Sequence, residues 1–321
     1  MGTATAIGDP SVGVGTGDDG AQTATSGAAI AAGGAEGARP GTAGHTYTPL
    51  FRAQNEPRYL RQALIAQYQQ TYDCNLVVMI DQIRMDSVTL LAELLHDLDP
   101  EKDLHMLLGS PGGDGETAVR LARMAQAASR RFVVLVPESA KSAGTILALG
   151  AHEIIMGPTS DLGPIDPQIV IPDRGYVSAK DIIAAVDRSL AQVAAEPNTF
   201  PLHAAMLAGI DVTTVQFARS ALARTGDLAR QAVGSNPDRD ADEITALCGK
   251  LDEPLISAPH SHGALIGARE AVDAGLPVTE LSPKDVQWQH IWSLWTQYFA
   301  IAKIEKLMAY EGAKASQVDV A

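Results

Sequence analysis

The fold is decided by residues 103–150, which read DLHMLLGSPGGDGETAVRLARMAQAASRRFVVLVPESAKSAGTILALG. This stretch contains two short apolar runs, at residues 103–108 and 131–136. Each run is followed by a turn and then by a segment whose apolar residues have helical spacing. Neither run alternates with polar residues, which is typical of strands covered on both faces of a parallel sheet. The pattern therefore predicts successive βαβ units.

The same alternation continues on both sides of this stretch. Further strands are predicted at residues 75–80 and 152–156, and helices are predicted at 58–70, 86–98, 179–195, 213–233 and 268–274. We therefore predict an α/β fold with a parallel sheet core and right-handed crossover connections.

Composition narrows the class of protein. The chain has 321 residues with 38 acidic and 24 basic side chains, which gives a net charge of −14. Because no basic stripe is present, we expect no binding of nucleic acid. Two cysteines, Cys74 and Cys248, are too few for a disulfide framework or a thiolate zinc cluster, and we expect no metal and no cofactor. No apolar run approaches the ~18 residues of a membrane-spanning helix, so no transmembrane segment is expected.

Residues 1–45 differ from the rest of the chain. Gly, Ala, Thr and Ser make up 31 of these 45 residues, and Phe, Trp and Tyr are absent from them. Such a segment cannot bury enough apolar surface to offset its ordering entropy, so we predict a disordered tail. It lacks the basic start and the continuous apolar stretch of a secretory signal, which favours a cytoplasmic location.

The first candidate site is the turn Ser110-Pro111-Gly112-Gly113, between a strand and a helix. Glycines there allow backbone N–H groups to point outward, and the positive end of the next helix adds to them. Such a turn can bind a carboxylate, a phosphate or a developing oxyanion. An ordinary Gly-Gly turn without a ligand is the alternative.

The second candidate is Lys141-Ser142-Ala143-Gly144-Thr145, again between a strand and a helix. A serine in this position is usually a helix cap. It can also be a nucleophile if a base and oxyanion donors lie close to it. The amides of Ala143, Gly112 and Gly113 are the candidate donors, because adjacent parallel strands bring both turns to the carboxyl edge of the sheet.

These motifs, with residues 157–168 (GPTSDLGPIDPQ) and 261–263 (SHG), resemble a known family. The likeness, over about residues 58–282, is to the Clp-fold serine peptidases of the ClpP/crotonase superfamily. It is greatest to the serine dehydrogenase proteinase family, which is related to signal peptide peptidase A. The resemblance implies a spiral of βαβ units. It also implies that Ser142 is the nucleophile and that the amides of Gly112, Gly113 and Ala143 form the oxyanion hole.

The candidate for the general base does not follow the Clp pattern. Clp subunits carry a histidine about two dozen residues after the serine, and here Asp166 stands in that place. Relatives with a Ser-Lys dyad carry a lysine some forty to fifty residues on, and Lys180 follows Ser142 by 180 − 142 = 38 residues. The resemblance therefore favours Lys180, with a solvated lysine in the first turn of a helix as the alternative. Asp166 could orient the base or form a turn, and His262 could support the site or pack at the domain edge.

The C-terminal segment, residues 283–321, is predicted to contain an amphipathic helix and a short tail. Residues 285–310 contain no helix breaker, and Trp288, Trp292 and Trp295 lie on one broad apolar stripe. The stripe could pack on its own domain, form a subunit contact or lie on a membrane surface. The predicted domains are thus the tail 1–45, the peptidase domain 46–282 and this segment.

These observations lead to three hypotheses of function. The first is a serine peptidase that cleaves peptides or proteins through an acyl-enzyme at Ser142, with a lysine as base. The family resemblance also implies a homo-oligomer. The second is a crotonase-like acyl-CoA enzyme, although no basic cluster for the CoA phosphates is present. The third is a catalytically silent Clp-fold protein that binds or assembles.

Overall fold

The computed structural model describes residues 48–171, 175–257 and 265–320. The predicted tail 1–45 and His262 lie outside these ranges. Contacts group Thr48–Ala321 into one compact unit. None of the helices in the described ranges is long and apolar enough to cross a membrane.

The described residues form strands and helices in alternation. The strands are β1 (Asn75–Ile80), β2 (Leu104–Gly109), β3 (Phe132–Val136), β4 (Ser139–Ala140), β5 (Glu153–Met156), β6 (Asp161–Leu162), β7 (Gln168–Ile171), β8 (Gly175–Ser178), β9 (Val278–Glu280), β10 (Leu307–Glu311) and β11 (Ser316–Val320). The α-helices are α1 (Pro49–Tyr72), α2 (Ser87–Leu95), α3 (Gly115–Ala127), α4 (Ala143–Leu149), α5 (Ala179–Ala195), α6 (Phe200–Met206), α7 (Val212–Val233), α8 (Ala241–Leu251), α9 (Ala268–Asp273) and α10 (Val286–Phe299). A 3₁₀ turn at Pro197–Thr199 precedes α6, and a π-helical turn at Asp252–Ser257 follows α8.

The central sheet confirms the predicted α/β fold. Within the described residues it has seven strands in the order β11-β10-β1-β2-β3-β5-β9. The five strands from β1 to β9 in that order pair in parallel. All residues of β1, β2 and β3 are buried, as expected for strands covered on both faces.

Helices cover the two faces of the sheet with separate apolar clusters. On one face, α3 and α4 pack with Leu121, Ile146 and Leu147 against the strands. On the other face, α1 contributes Ile65, and α10 contributes Ile291 to a second cluster. The sheet therefore lies between two layers, and its carboxyl edge remains available for the loops that follow β1, β2 and β3.

The C-terminal segment differs from its prediction. The helix predicted over residues 285–310 ends at Phe299, and β10 and β11 follow in place of a short tail. Strand β10 pairs antiparallel with β1, with Met79 opposite Tyr310. Sequence periodicity missed this strand because the free edge of β1, a long-range partner, determines its conformation.

Two of the three tryptophans are too buried for the membrane contact that was the third alternative for this stripe. Trp288 and Trp295 are only 5% and 2% exposed, because they pack in the cluster between α10 and the sheet. Trp292 is 38% exposed and stacks on Trp288. The apolar stripe of α10 thus packs on its own domain, which was the first of the three alternatives.

A buried ion pair ties α1 and α10 to β10. Arg61 Nε donates to Glu311 Oε2 at 2.6 Å, and its Nη2 donates to Oε1 at 3.3 Å. The hydroxyl of Tyr298 donates to the same carboxylate at 2.7 Å. Both charged side chains are buried, so each depends on the other for its hydrogen bonds.

We expect Arg61→Met to lower the free energy of unfolding by about 3–5 kcal/mol, because it leaves the Glu311 carboxylate buried without its cation. Urea denaturation followed by circular dichroism measures the change. Lys102→Met is the control, since it removes the cation of an exposed pair with Asp73 and should change stability little. Equal effects of the two variants would contradict the expectation.

Candidate active site

Ser142 lies in a strained backbone conformation directly before α4. Its φ is 48° and its ψ is −108°, outside the regions that residues with a Cβ normally adopt. Its side chain makes no capping hydrogen bond with the described residues, so the helix-cap alternative does not hold. Strain of this kind persists only where surrounding contacts hold it, and it is concentrated at functional sites.

The contacts that hold Ser142 come from its neighbours in the chain. Thr145 Oγ1, fully buried, lies 2.7 Å from the Ala140 carbonyl, 2.9 Å from the Gly163 carbonyl and 3.2 Å from the Gly163 amide. Lys141, the residue before the serine, forms an ion pair with Asp161. These bonds fix the turn between β4 and the segment that follows β6.

Two backbone hydrogen bonds place the glycine turn beside Ser142. The Ser110 amide donates to the Ser139 carbonyl at 3.0 Å, and the Lys141 amide donates to the Ser110 carbonyl at 2.9 Å. A Cβ built on Gly112 would lie 3.1 Å from the Cβ of Ser142. The two turns predicted to meet at the carboxyl edge of the sheet are therefore in contact.

The amides of the glycine turn are not equivalent. Gly112 donates its N–H to Ser110 Oγ at 3.2 Å, and its carbonyl accepts from the Ile83 amide at 2.8 Å. In a trans peptide the carbonyl and the next N–H point in opposite directions. The N–H of Gly113 therefore points to the side opposite Ile83.

Gly113 must be a glycine at this place. Its φ is +134°, and a Cβ there would lie 2.1 Å from the Ile83 carbonyl oxygen. The same carbonyl accepts from the Asp114 amide at 2.9 Å, so Ile83 bonds on both sides of Gly113. Asp114 then caps α3 by accepting from the Thr117 amide at 2.6 Å.

The remaining predicted residues lie in different surroundings. Asp166 is buried next to Ile165, whose amide donates to the Leu255 carbonyl at 2.8 Å. Lys180 lies in the first turn of α5, and its Nζ is 3.3 Å from the Ser257 carbonyl. It lines a largely apolar cavity of about 670 Å³ between α5, α7 and the π-helical turn, and Ser142 is not among the lining residues. Lys180 as the base thus stays a prediction.

Sequence reasoning missed three residues that shape the site. Ser110 stood within the quoted motif, but only its glycines were considered. Thr145 also lay within its motif, and a buried threonine after a serine turn is a recognisable anchor. Ile83 carries no signal in the sequence, because it acts through its backbone alone.

Part of the chain matches a known protein family. Residues 68–200 match the family described as ClpP-like SDH-type serine proteinase. Over this range the chain is similar to that family. This match confirms the resemblance that the two motifs indicated.

Two archaeal proteins are similar to part of the chain. The chain is 35% identical over 88 residues to the uncharacterized protein MJ0137 of Methanocaldococcus jannaschii, which is 27% of this chain and 29% of that one. It is 32% identical over 100 residues to MJ1495 of the same organism, which is 31% of this chain and 32% of that one. The chain thus matches less than a third of the length of each of these relatives.

A solved structure also shows similarity. A point mutant of the 1510-N membrane-bound stomatin-specific protease aligns over 70% of this chain and 85% of its own, with 18% sequence identity and a TM-score of 0.37.

Proposed function

We propose that this ClpP-like protein is a serine peptidase in which Ser142 attacks a peptide carbonyl and forms an acyl-enzyme. The observation that carries the proposal is the strained, uncapped Ser142 in contact with the glycine turn. The hydroxyl attacks the carbonyl carbon, the amine leaves with a proton, and water then releases the acyl group.

The oxyanion hole is assigned to the amides of Gly113 and Ala143. Ala143 is the first residue of α4, where an N–H has no acceptor within its own helix. Because Gly112 donates to Ser110 Oγ, its amide is engaged, and Gly112 serves by allowing the close approach to Ser142. Two such donors stabilise the negative charge that develops on the carbonyl oxygen.

Lys180 is proposed as the base that takes the proton of Ser142. Its support is the family resemblance and its position at the start of α5, half-buried at the edge of an apolar cavity. Asp166 and His262 are kept as supporting residues. To act as the base, the Lys180 side chain must leave the Ser257 carbonyl and reach the serine hydroxyl as a neutral amine, which accepts the proton and becomes the ammonium.

Two further proposals concern the whole protein. A homo-oligomer is supported by the family resemblance and by the exposed apolar side chains of α5, α6 and α7, which include Leu190, Leu202 and Phe217. A cytoplasmic location is supported by the two free cysteines, Cys74 and Cys248, since thiols stay reduced in that compartment.

The first test is labelling by a fluorophosphonate probe. Wild type should be labelled at Ser142, and Ser142→Ala should lose labelling and cleavage of an unfolded protein by about 10³-fold or more, because the nucleophile is removed. Ser293→Ala, a serine of α10, is the control and should react as wild type does. If wild type and Ser142→Ala are equally unreactive, the peptidase proposal is abandoned.

The second test concerns the base. Lys180→Met should lower the rate of acylation by about 10²–10⁴-fold, the usual contribution of a general base, with little change in stability. Lys250→Met is the matched control on α8. Wild-type rates in Lys180→Met together with a large loss in His262→Ala would move the base to the histidine.

The third test compares two glycines with positive φ. Gly113→Ala should lower kcat by about 10²–10³-fold, since the new Cβ would collide with the Ile83 carbonyl oxygen and force the Gly113 amide out of its position. Gly175→Ala, at φ +76° at the start of β8, has open space around its Cβ and should keep wild-type kcat. Steady-state cleavage of a fluorogenic peptide measures both, and equal kcat values would remove Gly113 from the oxyanion hole.

A further inference from the structure

A buried hydrogen bond lies behind the glycine turn. The hydroxyl of Tyr310, on β10, donates to Asp81 Oδ2 at 3.1 Å, and both side chains are almost completely buried. The other carboxylate oxygen of Asp81 lies 3.5 Å from Arg84 Nη2. Burial raises the pKa of the Asp81 carboxyl group above its ordinary value, against the effect of Arg84 and Tyr310. The carboxylate thus depends on these few donors.

Asp81 begins the segment 81–84, which leaves β1 and passes beside the glycine turn. The Asp81 amide donates to the Gly109 carbonyl at 3.1 Å, at the start of that turn. Two residues later, the Ile83 amide donates to the Gly112 carbonyl, and the Ile83 carbonyl accepts from the Asp114 amide. These two bonds lie on either side of Gly113. Ser87 Oγ accepts from the Arg84 amide at 3.0 Å and closes the segment onto α2.

The glycine turn needs such an external restraint. Gly112 and Gly113 have φ values of +118° and +134°, and residues without a Cβ cross between backbone conformations easily. A rotation of the peptide between them would turn the Gly113 N–H away from its direction. The Ile83 amide opposes that rotation because it holds the Gly112 carbonyl at 2.8 Å.

We propose that Tyr310 is a positioning residue for the oxyanion hole, acting through Asp81 and the Ile83 backbone on the Gly112–Gly113 peptide. This inference rests on the proposed function of the Gly113 amide. It gives the C-terminal strand β10 a role in the chemistry of a site whose nucleophile, Ser142, lies 310 − 142 = 168 residues earlier in the chain.

The experiment compares two identical chemical changes. Tyr310→Phe removes the hydroxyl that binds Asp81, and Tyr298→Phe removes a buried hydroxyl that binds the Glu311 carboxylate at 2.7 Å, next to Arg61. Each leaves a buried carboxylate with one donor fewer. We expect both variants to lower the melting temperature. Only Tyr310→Phe should lower kcat, by about tenfold at unchanged KM, because a displaced oxyanion donor affects the transition state alone.

Hydrogen exchange supplies a readout that does not require peptidase activity. In Tyr310→Phe the amides of residues 81–84 and 112–114 should exchange faster than in wild type, whereas in Tyr298→Phe they should not. If wild type is not labelled at Ser142, the proposed function fails, and the exchange rates still decide whether Tyr310 holds the turn.

A double-mutant cycle covers the case in which Tyr310→Phe folds poorly. Asp81→Ala should accelerate exchange at residues 112–114 as Tyr310→Phe does, and the double variant should add no further increase, since both changes break one chain of contacts. Unchanged exchange at residues 112–114 in both single variants, or an equal loss of kcat in Tyr310→Phe and Tyr298→Phe, would overturn the inference.

Discussion

Two backbone hydrogen bonds, from the Ser110 amide to Ser139 and from the Lys141 amide to Ser110, are the contacts on which the candidate site depends. They join the turn after β2 to the turn after β3. Parallel pairing of β2 and β3 brings these turns to the same edge, but pairing alone leaves their separation open. The two bonds bring the glycine turn into contact with Ser142, and every later step of the proposed chemistry requires that contact.

The same arrangement explains how a strained serine is maintained. Every residue of α4 is buried, so this helix cannot shift to relieve the positive φ of Ser142. At its other end, the Arg239 guanidinium donates to the carbonyls of Leu149 and Ala151, each at 2.8 Å. Helix α4 is thus held at both ends, and the strain at Ser142 is balanced by packing and buried hydrogen bonds rather than by the turn itself.

Sequence reasoning succeeded where the signal was local. The apolar runs of β1, β2, β3 and β5 and the two turns carry their pattern within a few residues, and the structure places them as expected. Reasoning failed at the C-terminus, where the sequence after Phe299 has no strand pattern strong enough to override helical periodicity. There Tyr310 and Glu311 are buried by β1 and by Arg61, which lie far away in the chain.

The motifs SPGG and SAGT, with the apolar runs before them, were sufficient to predict the βαβ order and the meeting of the two turns at one edge of the sheet. They could not show how the peptides of that turn are oriented, because a peptide's orientation depends on the groups that its carbonyl and its N–H contact. Ser110 Oγ takes the Gly112 amide, and Ile83 takes the Gly112 carbonyl. These partners come together through packing of the sheet edge, so the direction of the Gly113 N–H is a property of the folded chain.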